Sequence, residues 1–409
     1  MLNHYLSDLA NFDYIMHRNR IIPGEIMKTV NIGIIGCGGR LRMILNAMTN
    51  IGKDLQVAAL CDPSTNSIAE CKKVINDSPA VYNSAEQLCA DDSIDWVMIG
   101  SHNALHREHA VAALEAGKDV FCEKPLAITL DDCLAIRDAV ERSGKKFIIG
   151  FVLRYSLHYK KLKQLIDNGE IGSIISLEFN ETLGFNHGGF IHSDWRRLRG
   201  QAGTHLLEKC CHDIDLINWL VQSRARRVAS FGGLNFFKPE NEYHISRLGK
   251  DKNGKDAYRT WPSVTGLNPF TCDKDIVDNQ VAIIEYENDV RATFHTNGNA
   301  GIPERRMYIL GTEGAIRADV LTGKIELCRI GHDEHIRDES TTAKGGHGDA
   351  DKILGPAISR AMLNGEELDT GIEDGITSAA TCFAIDEAMD SGKVVDMREW
   401  WEKTERPEA

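Results

Sequence analysis

An apolar stretch, Val30 to Ile35, runs directly into Gly36-Cys37-Gly38-Gly39-Arg40-Leu41. Glycine lets a backbone turn sharply from strand to helix while its N–H groups stay bare, and bare N–H groups at a helix N-terminus suit a pyrophosphate. Leu41 stands where the general pattern has a third glycine, the position that normally permits close packing of helix on strand. Asp62 follows the next apolar stretch, Leu55 to Leu60, at about the 20-residue spacing of a dinucleotide fingerprint. Its carboxylate can accept both ribose hydroxyls and repels a 2'-phosphate, which predicts NAD, with NADP less favoured. Arg40, just past the glycines, offers a guanidinium to adenine or phosphate and blunts that preference.

Strand and helix patterns alternate from Val30 onward. Asp95 to Gly100, Lys118 to Cys122 and Lys146 to Gly150 read as further short buried strands. Parallel strands need crossover helices, so the alternation predicts an α/β fold with a doubly wound parallel Rossmann sheet, ending near Gly150. The pattern then changes. A helix is expected near Ser156 to Asn168, a long strand near Ile174 to Thr182 and a helix near Gly203 to Gln222. Five strands follow between Val281 and Cys328, with tight turns at Asn288-Asp289 and Thr322-Gly323. Two helices, near Asp349 to Asn364 and Glu373 to Ser391, are expected to cover one face of this sheet. The second domain is thus α+β, built on a large, mostly antiparallel open sheet. The divisions predicted are an N-terminal arm over 1–28, a Rossmann domain over 29–150 and an α+β domain over 151–409. Glu240 to Ser263 and Asn186 to Trp195 read as loops.

With 409 residues the chain can bury two cores. The 60 acidic and 47 basic residues give a net charge of −13, which opposes nucleic acid and anionic membrane as partners. No apolar run is long enough to span a bilayer, and the first thirty residues lack the apolar stretch of a signal peptide. Eleven cysteines scattered through strands and helices suit reduced thiols, so a cytoplasmic protein is expected.

Two more motifs fall where a Rossmann sheet presents its ligand edge: Ser101-His102-Asn103-Ala104-Leu105-His106 and Glu123-Lys124-Pro125. In the expected helix near Gly203 to Gln222, Leu207, Cys210, Ile214, Ile217 and Val221 form an apolar stripe. Glu208, His212 and Asp215 share another face at i, i+4 and i+7, so three titratable groups can converge. Glu208, Cys211 and His212 are also zinc-ligand types, but adjacent helical positions give poor tetrahedral geometry, so no metal is expected.

With Gly36 to Arg40, the Asn103/His106 pair and Glu123-Lys124-Pro125, the chain resembles the glucose-fructose oxidoreductase, inositol dehydrogenase and MocA family from about Val30 to Met397. The resemblance implies an NAD-dependent oxidoreductase that moves a hydride between nicotinamide and a hydroxyl-bearing carbon of a sugar or cyclic polyol. It places Lys124 beside the nicotinamide and the reacting carbon, where an ammonium stabilises a developing alkoxide. His212 is expected as general base, because its ordinary pKa lies near working pH. Glu208, expected to orient it or to hold a neighbouring hydroxyl, stands where the family has an Asp four residues before the His. The cofactor is expected to meet Gly36, Gly38, Gly39, Arg40, Asp62, Ser101, Asn103, His106, Glu123, Lys124, Trp195 and Arg196. The last two resemble the family's tryptophan–arginine pair, and the Trp195 plane is offered to a sugar ring or carboxamide.

Arg154 and Tyr155, at the opening of the second domain, join His187, Asp215 and His347 as expected substrate contacts. The open sheet is expected to join copies into a homodimer or homotetramer, as in similar proteins. Two rival readings share the fold: a glycosidase that oxidises its substrate transiently with bound NAD, and a nucleotide-binding sensor without chemistry.

Overall fold

The computed structural model describes residues 29–75 and 78–405; the expected arm over 1–28 lies outside them. The first sheet has six parallel strands: β1 (Val30–Ile35), β2 (Leu55–Cys61), β3 (Ala80–Tyr82), β4 (Trp96–Ile99), β5 (Asp119–Cys122) and β6 (Phe147–Ile149). Their spatial order is β3-β2-β1-β4-β5-β6, which is the doubly wound Rossmann order. Strand β4 is buried at every position, as a central parallel strand covered on both faces must be. Three-residue β3 was not foreseen, since so short a strand leaves no period to read.

The second sheet has nine strands. Ile174–Gly184 (β7) leads, followed by β8 (Ala225–Gly233), β9 (Asn279–Tyr286), β10 (Arg291–Ala300), β11 (Arg306–Gly311), β12 (Gly314–Asp319), β13 (Lys324–Arg329), β14 (Arg337–Asp338) and β15 (Val395–Asp396). Only the β7–β10 pairing is parallel; the other neighbours run antiparallel. Alternation along β9 buries Ala282 and Ile284 and leaves Val281 and Ile283 outside.

The His205–Val221 helix lies on the inner side of this sheet and packs against the Ile372–Ser391 helix. Thr204 caps it through a hydrogen bond from the Leu207 N–H. The apolar stripe is core as expected, but Glu208, His212, Asp213 and Asp215 are buried too.

Of the two closing helices, only Ile372–Ser391 packs on the second sheet, at β8. Ala350–Asn364 instead packs against Gly39–Ala47, the helix that follows the glycine turn. The contact is close because of Gly355, where an added Cβ would stand 2.5 Å from the Ala47 carbonyl carbon. The expectation that both helices cover the sheet is therefore corrected, and the C-terminal segment is brought to the mouth of the glycine turn.

Both expected loops contain helix, at Phe185–Ser193 and Tyr243–Leu248. Between them a small aromatic core of Phe237, Tyr258 and Phe270, with Phe185 and Phe236 against it, gives these segments something to fold on.

Candidate active site

Gly36 has φ +87°, and a Cβ there would fall 2.4 Å from the Ser101 backbone nitrogen, so only glycine fits. Gly38 and Gly39 differ: an added Cβ would have no neighbour nearer than 3.9 Å. Gly38 caps the helix with no side-chain acceptor, so the first-turn N–H groups are left to a ligand. The missing third glycine is compensated across the sheet. Leu41 is buried against Gly100, where a Cβ would approach Leu41 Cβ to 3.1 Å. Asp62 accepts the Cys37 N–H at 2.7 Å and the Ser64 N–H at 2.7 Å, which fixes its carboxylate beside the turn. An open backbone cradle with an acceptor at its edge fits the diphosphate and ribose of a dinucleotide.

The two ligand-edge motifs hold each other. His106 is wholly buried, with Nδ1 2.8 Å from the Pro125 carbonyl and Nε2 3.3 Å from that of Ser101, so it fixes the Glu-Lys-Pro turn from behind. Ser101 Oγ bonds His109 Nδ1 at 2.9 Å, and Asn103 donates to the Ala202 carbonyl at 2.8 Å. Glu123 accepts Arg40 Nε at 2.9 Å and the Lys124 N–H at 3.2 Å. Gly150 makes room for that carboxylate, since a Cβ there would come within 3.1 Å of it. Arg40 continues to Asp351 at 2.5 Å, so its guanidinium ties the glycine turn to the Glu-Lys-Pro turn and the C-terminal helix. The Arg40 charge is thereby shared between two carboxylates.

Lys124 reaches across to the His205–Val221 helix and donates its ammonium to the Glu208 main-chain carbonyl. Burial opposes ionisation of Glu208, but Lys124, Arg196 and Lys209 hold its carboxyl down at about 2. Arg196 Nε donates to that carboxylate at 2.9 Å. One turn on, His212 is 4% exposed, and its Nδ1 has no hydrogen-bond partner. Burial, then Lys124 and Arg305, push its pKa well below the usual histidine range, so the ring is a neutral base at neutral pH.

Trp195 stacks on His102 with ring centroids 4.2 Å apart, and the Arg196 guanidinium lies 4.4 Å from its centroid. Its stacking partners are thus protein groups from both halves of the site, which corrects the expectation of a plane offered to a sugar ring. His187 lies on the Phe185–Ser193 helix, stacked on Trp261 at 4.2 Å; burial and Lys209 lower its pKa to about 3.

Arg154 and Asp215 do not present themselves to a substrate. They form a buried bidentate pair at 2.8 and 2.6 Å, and Arg154 also bonds Asp374 at 2.8 Å. Tyr155 is buried with its hydroxyl 3.5 Å from Thr370 Oγ1. This trio ties the entrance of the second domain to its last long helix, a packing role in place of the expected contact. His347 does face the site: its ring centroid is 6.2 Å from that of His212, and its Nδ1 is 2.9 Å from Asp351 Oδ2.

Sequence reasoning overlooked Asp351, although it follows His347 by four residues, the spacing at which helical neighbours meet. It also overlooked His102, Lys209 and Arg305. Lys209 bonds Glu181 at 2.7 Å, and Arg305 bonds Asp213 at 2.7 and 2.8 Å. Glu181, Cys210 and Asp213 lie close enough to share a metal, but these two cations already neutralise the carboxylates. No helix among the described residues is long and apolar enough to cross a membrane.

Comparison with known proteins agrees with the geometry. Residues 30–151 match the model of an oxidoreductase family with an NAD-binding Rossmann fold, and residues 159–317 match the GFO/IDH/MocA C-terminal domain. The chain is 24% identical over 326 residues to a putative oxidoreductase YteT of Bacillus subtilis, covering 70% of this chain and 76% of that protein. It is 32% identical over 205 residues to the inositol 2-dehydrogenase of Salmonella typhimurium, covering 49% of this chain and 57% of the relative. Among solved structures, levoglucosan dehydrogenase in complex with NADH and levoglucosan superimposes with a TM-score of 0.74 at 21% identity, covering 90% of this chain and 99% of that one. Apo scyllo-inositol dehydrogenase from Lactobacillus casei gives 0.68 at 22% identity, covering 90% and 98%. At those identities the structural likeness speaks to the fold. The matches to both domain models, the first spanning the glycine cradle and Lys124 and the second spanning His212, place this chain in the GFO/IDH/MocA oxidoreductase family, with an NAD-binding Rossmann domain.

Proposed function

We propose that this protein is an NAD-dependent dehydrogenase acting on a hydroxyl-bearing carbon of a sugar, sugar derivative or cyclic polyol. The observation that carries the reading is the meeting of Lys124, from the Rossmann edge, with the helical turn that bears Glu208 and His212. On this reading residues 29–150 hold the nucleotide, and 151–409 supply the substrate pocket and the contacts between subunits. The inositol and levoglucosan dehydrogenases among the relatives support a polyol or sugar as substrate.

NAD, bound with its diphosphate on the Gly38–Gly39 cradle and its ribose at Asp62, supplies a hydride acceptor. The residues of this chain do the rest. Lys124 holds the substrate oxygen and stabilises the charge that grows on it as its proton leaves. His212, uncharged at neutral pH, takes that proton. Glu208, ionised and locked by Arg196, keeps a negative charge among Lys124, Arg196 and Lys209, so the pocket is not a bare cluster of cations. Asp62 favours NAD over NADP by placing a carboxylate where a 2'-phosphate would sit.

The outer face of the nine-stranded sheet supports a homo-oligomer. Phe231 is 72% exposed directly opposite exposed Val281, and Ile283 continues the patch. An apolar sheet face of this kind is normally covered. Catalysis is tested by following NADH absorbance with purified protein, NAD and a panel of inositols, aldoses and glycosides. Appearance of NADH on a polyol or sugar supports the reading, and its absence on every member refutes it.

A further inference from the structure

His212 poses a problem that the proposed reaction has to solve. It is almost wholly buried, surrounded by Lys124, Arg305 and Lys209, and a proton received there is poorly held and must be passed on.

A second imidazole stands beside it. His347 lies edge-on to His212 at 65°, with centroids 6.2 Å apart, a separation that one water or one substrate hydroxyl spans. Its side chain is 34% exposed, against 4% for His212, so it touches both the site and solvent. The ring is held as a relay requires. With Nδ1–H donated to the Asp351 carboxylate at 2.9 Å, Nε2 is left as the acceptor, and Asp351 stabilises the imidazolium formed when a proton arrives.

The loop that carries His347 is fixed from several sides. Arg305 donates to the Gly346 carbonyl at 2.9 Å while gripping Asp213, the residue after His212, so one guanidinium sets the spacing of the two imidazoles. Ser156 donates to the Gly348 carbonyl at 3.2 Å. Asp351 is itself held by Arg40. The charged and titratable groups facing His347 are Asp351, Arg40, Arg305 and His212. Burial and the two arginines keep it neutral, against the pull of Asp351.

We propose that His347, oriented by Asp351, is the proton exit of this active site. This rests on the dehydrogenase reading. In the oxidation the C–H bond breaks and its electron pair leaves as hydride to the nicotinamide ring of NAD, which is reduced. The O–H bond breaks, its electrons close the C=O bond, and its proton passes to His212, through the bridging water or hydroxyl to His347 Nε2, and out to solvent.

The test compares wild type with His347→Ala and His347→Gln in turnover, with and without imidazole in the buffer. It adds a histidine nitrogen NMR spectrum of wild type and Asp351→Asn. The relay predicts a fall in kcat of about tenfold or more in both His347 variants, NAD affinity unchanged, partial rescue by imidazole, and a larger solvent isotope effect on kcat. It also predicts the Nδ1–H tautomer at His347 in wild type, lost in Asp351→Asn. Unchanged kcat in a turning-over enzyme, a loss confined to KM, or an Nε2–H tautomer in wild type overturns the relay alone. A wild type that binds NAD but turns over no polyol or sugar overturns the dehydrogenase reading, and the relay with it.

Discussion

The Lys124 ammonium and the His212 backbone N–H converge on one oxygen. Lys124 donates to the Glu208 main-chain carbonyl, and His212, four residues on in the same helix, is that carbonyl's helical partner. A lysine from the Rossmann edge and a base from the second domain are thereby set one turn from a common atom. Rigid positioning of this kind is what proton transfer during hydride departure needs.

The first consequence concerns pH. The protonated ring cannot act as base, so kcat/KM falls as pH drops through the His212 pKa. That pKa lies well below 6.5, and the acid limb is expected below the position an unperturbed histidine would give. After burial, the Lys124 ammonium is the largest cause of that depression. Replacing it with Met removes a cation that disfavours the imidazolium, so the His212 pKa rises. NMR titration of the ring measures the shift; no rise in Lys124→Met would contradict the assignment.

Cofactor choice follows from Asp62. Wild type is expected to bind NAD at least about tenfold more tightly than NADP, because a carboxylate meets the 2'-phosphate as a like charge. Asp62→Asn keeps an acceptor for the Cys37 and Ser64 N–H groups and removes the repulsion, so the ratio narrows. Fluorescence titration with the two nucleotides reads it directly.

Arg154 makes a stability prediction. Arg154→Met leaves Asp215 buried with no bidentate partner, and breaking one side of a buried pair costs about 3–5 kcal/mol. Denaturant unfolding should show a loss of that size. A change under 1 kcal/mol would mean that Arg154 acts on substrate and not in packing.

At the open sheet, Ile283→Asp places a charge in the middle of the Phe231–Val281 patch. Analytical ultracentrifugation should show wild type as a dimer or tetramer and the variant with reduced mass. A monomeric wild type would remove the interface.

How much of this was legible in the sequence depended on how local each signal is. The glycine turn and Asp62 carry their chemistry in their spacing, whereas the role of Lys124 in the Glu-Lys-Pro turn is legible only through the family resemblance. The Glu208–His212 pair is read from helical period together with the family resemblance. What period cannot give is the partner across space. Arg154 reads as a site residue through the family resemblance and Asp215 through the helix face it shares with Glu208 and His212, yet they satisfy one another in the core. Asp351 was passed over because its meaning depends on the Ala350–Asn364 helix docking on Gly39–Ala47, a contact made by Gly355 and visible only in three dimensions. Leu41 is a similar case, since its compensation by Gly100 lies across the sheet.

The most direct measurement is NADH formation by wild type, Lys124→Ala and His212→Ala on the same panel of inositols and sugars, with NAD binding measured in parallel. The account predicts turnover by wild type on at least one polyol or sugar, and losses of about 10²–10⁴ in kcat in each variant with NAD still bound. Wild-type rates in either variant would contradict it.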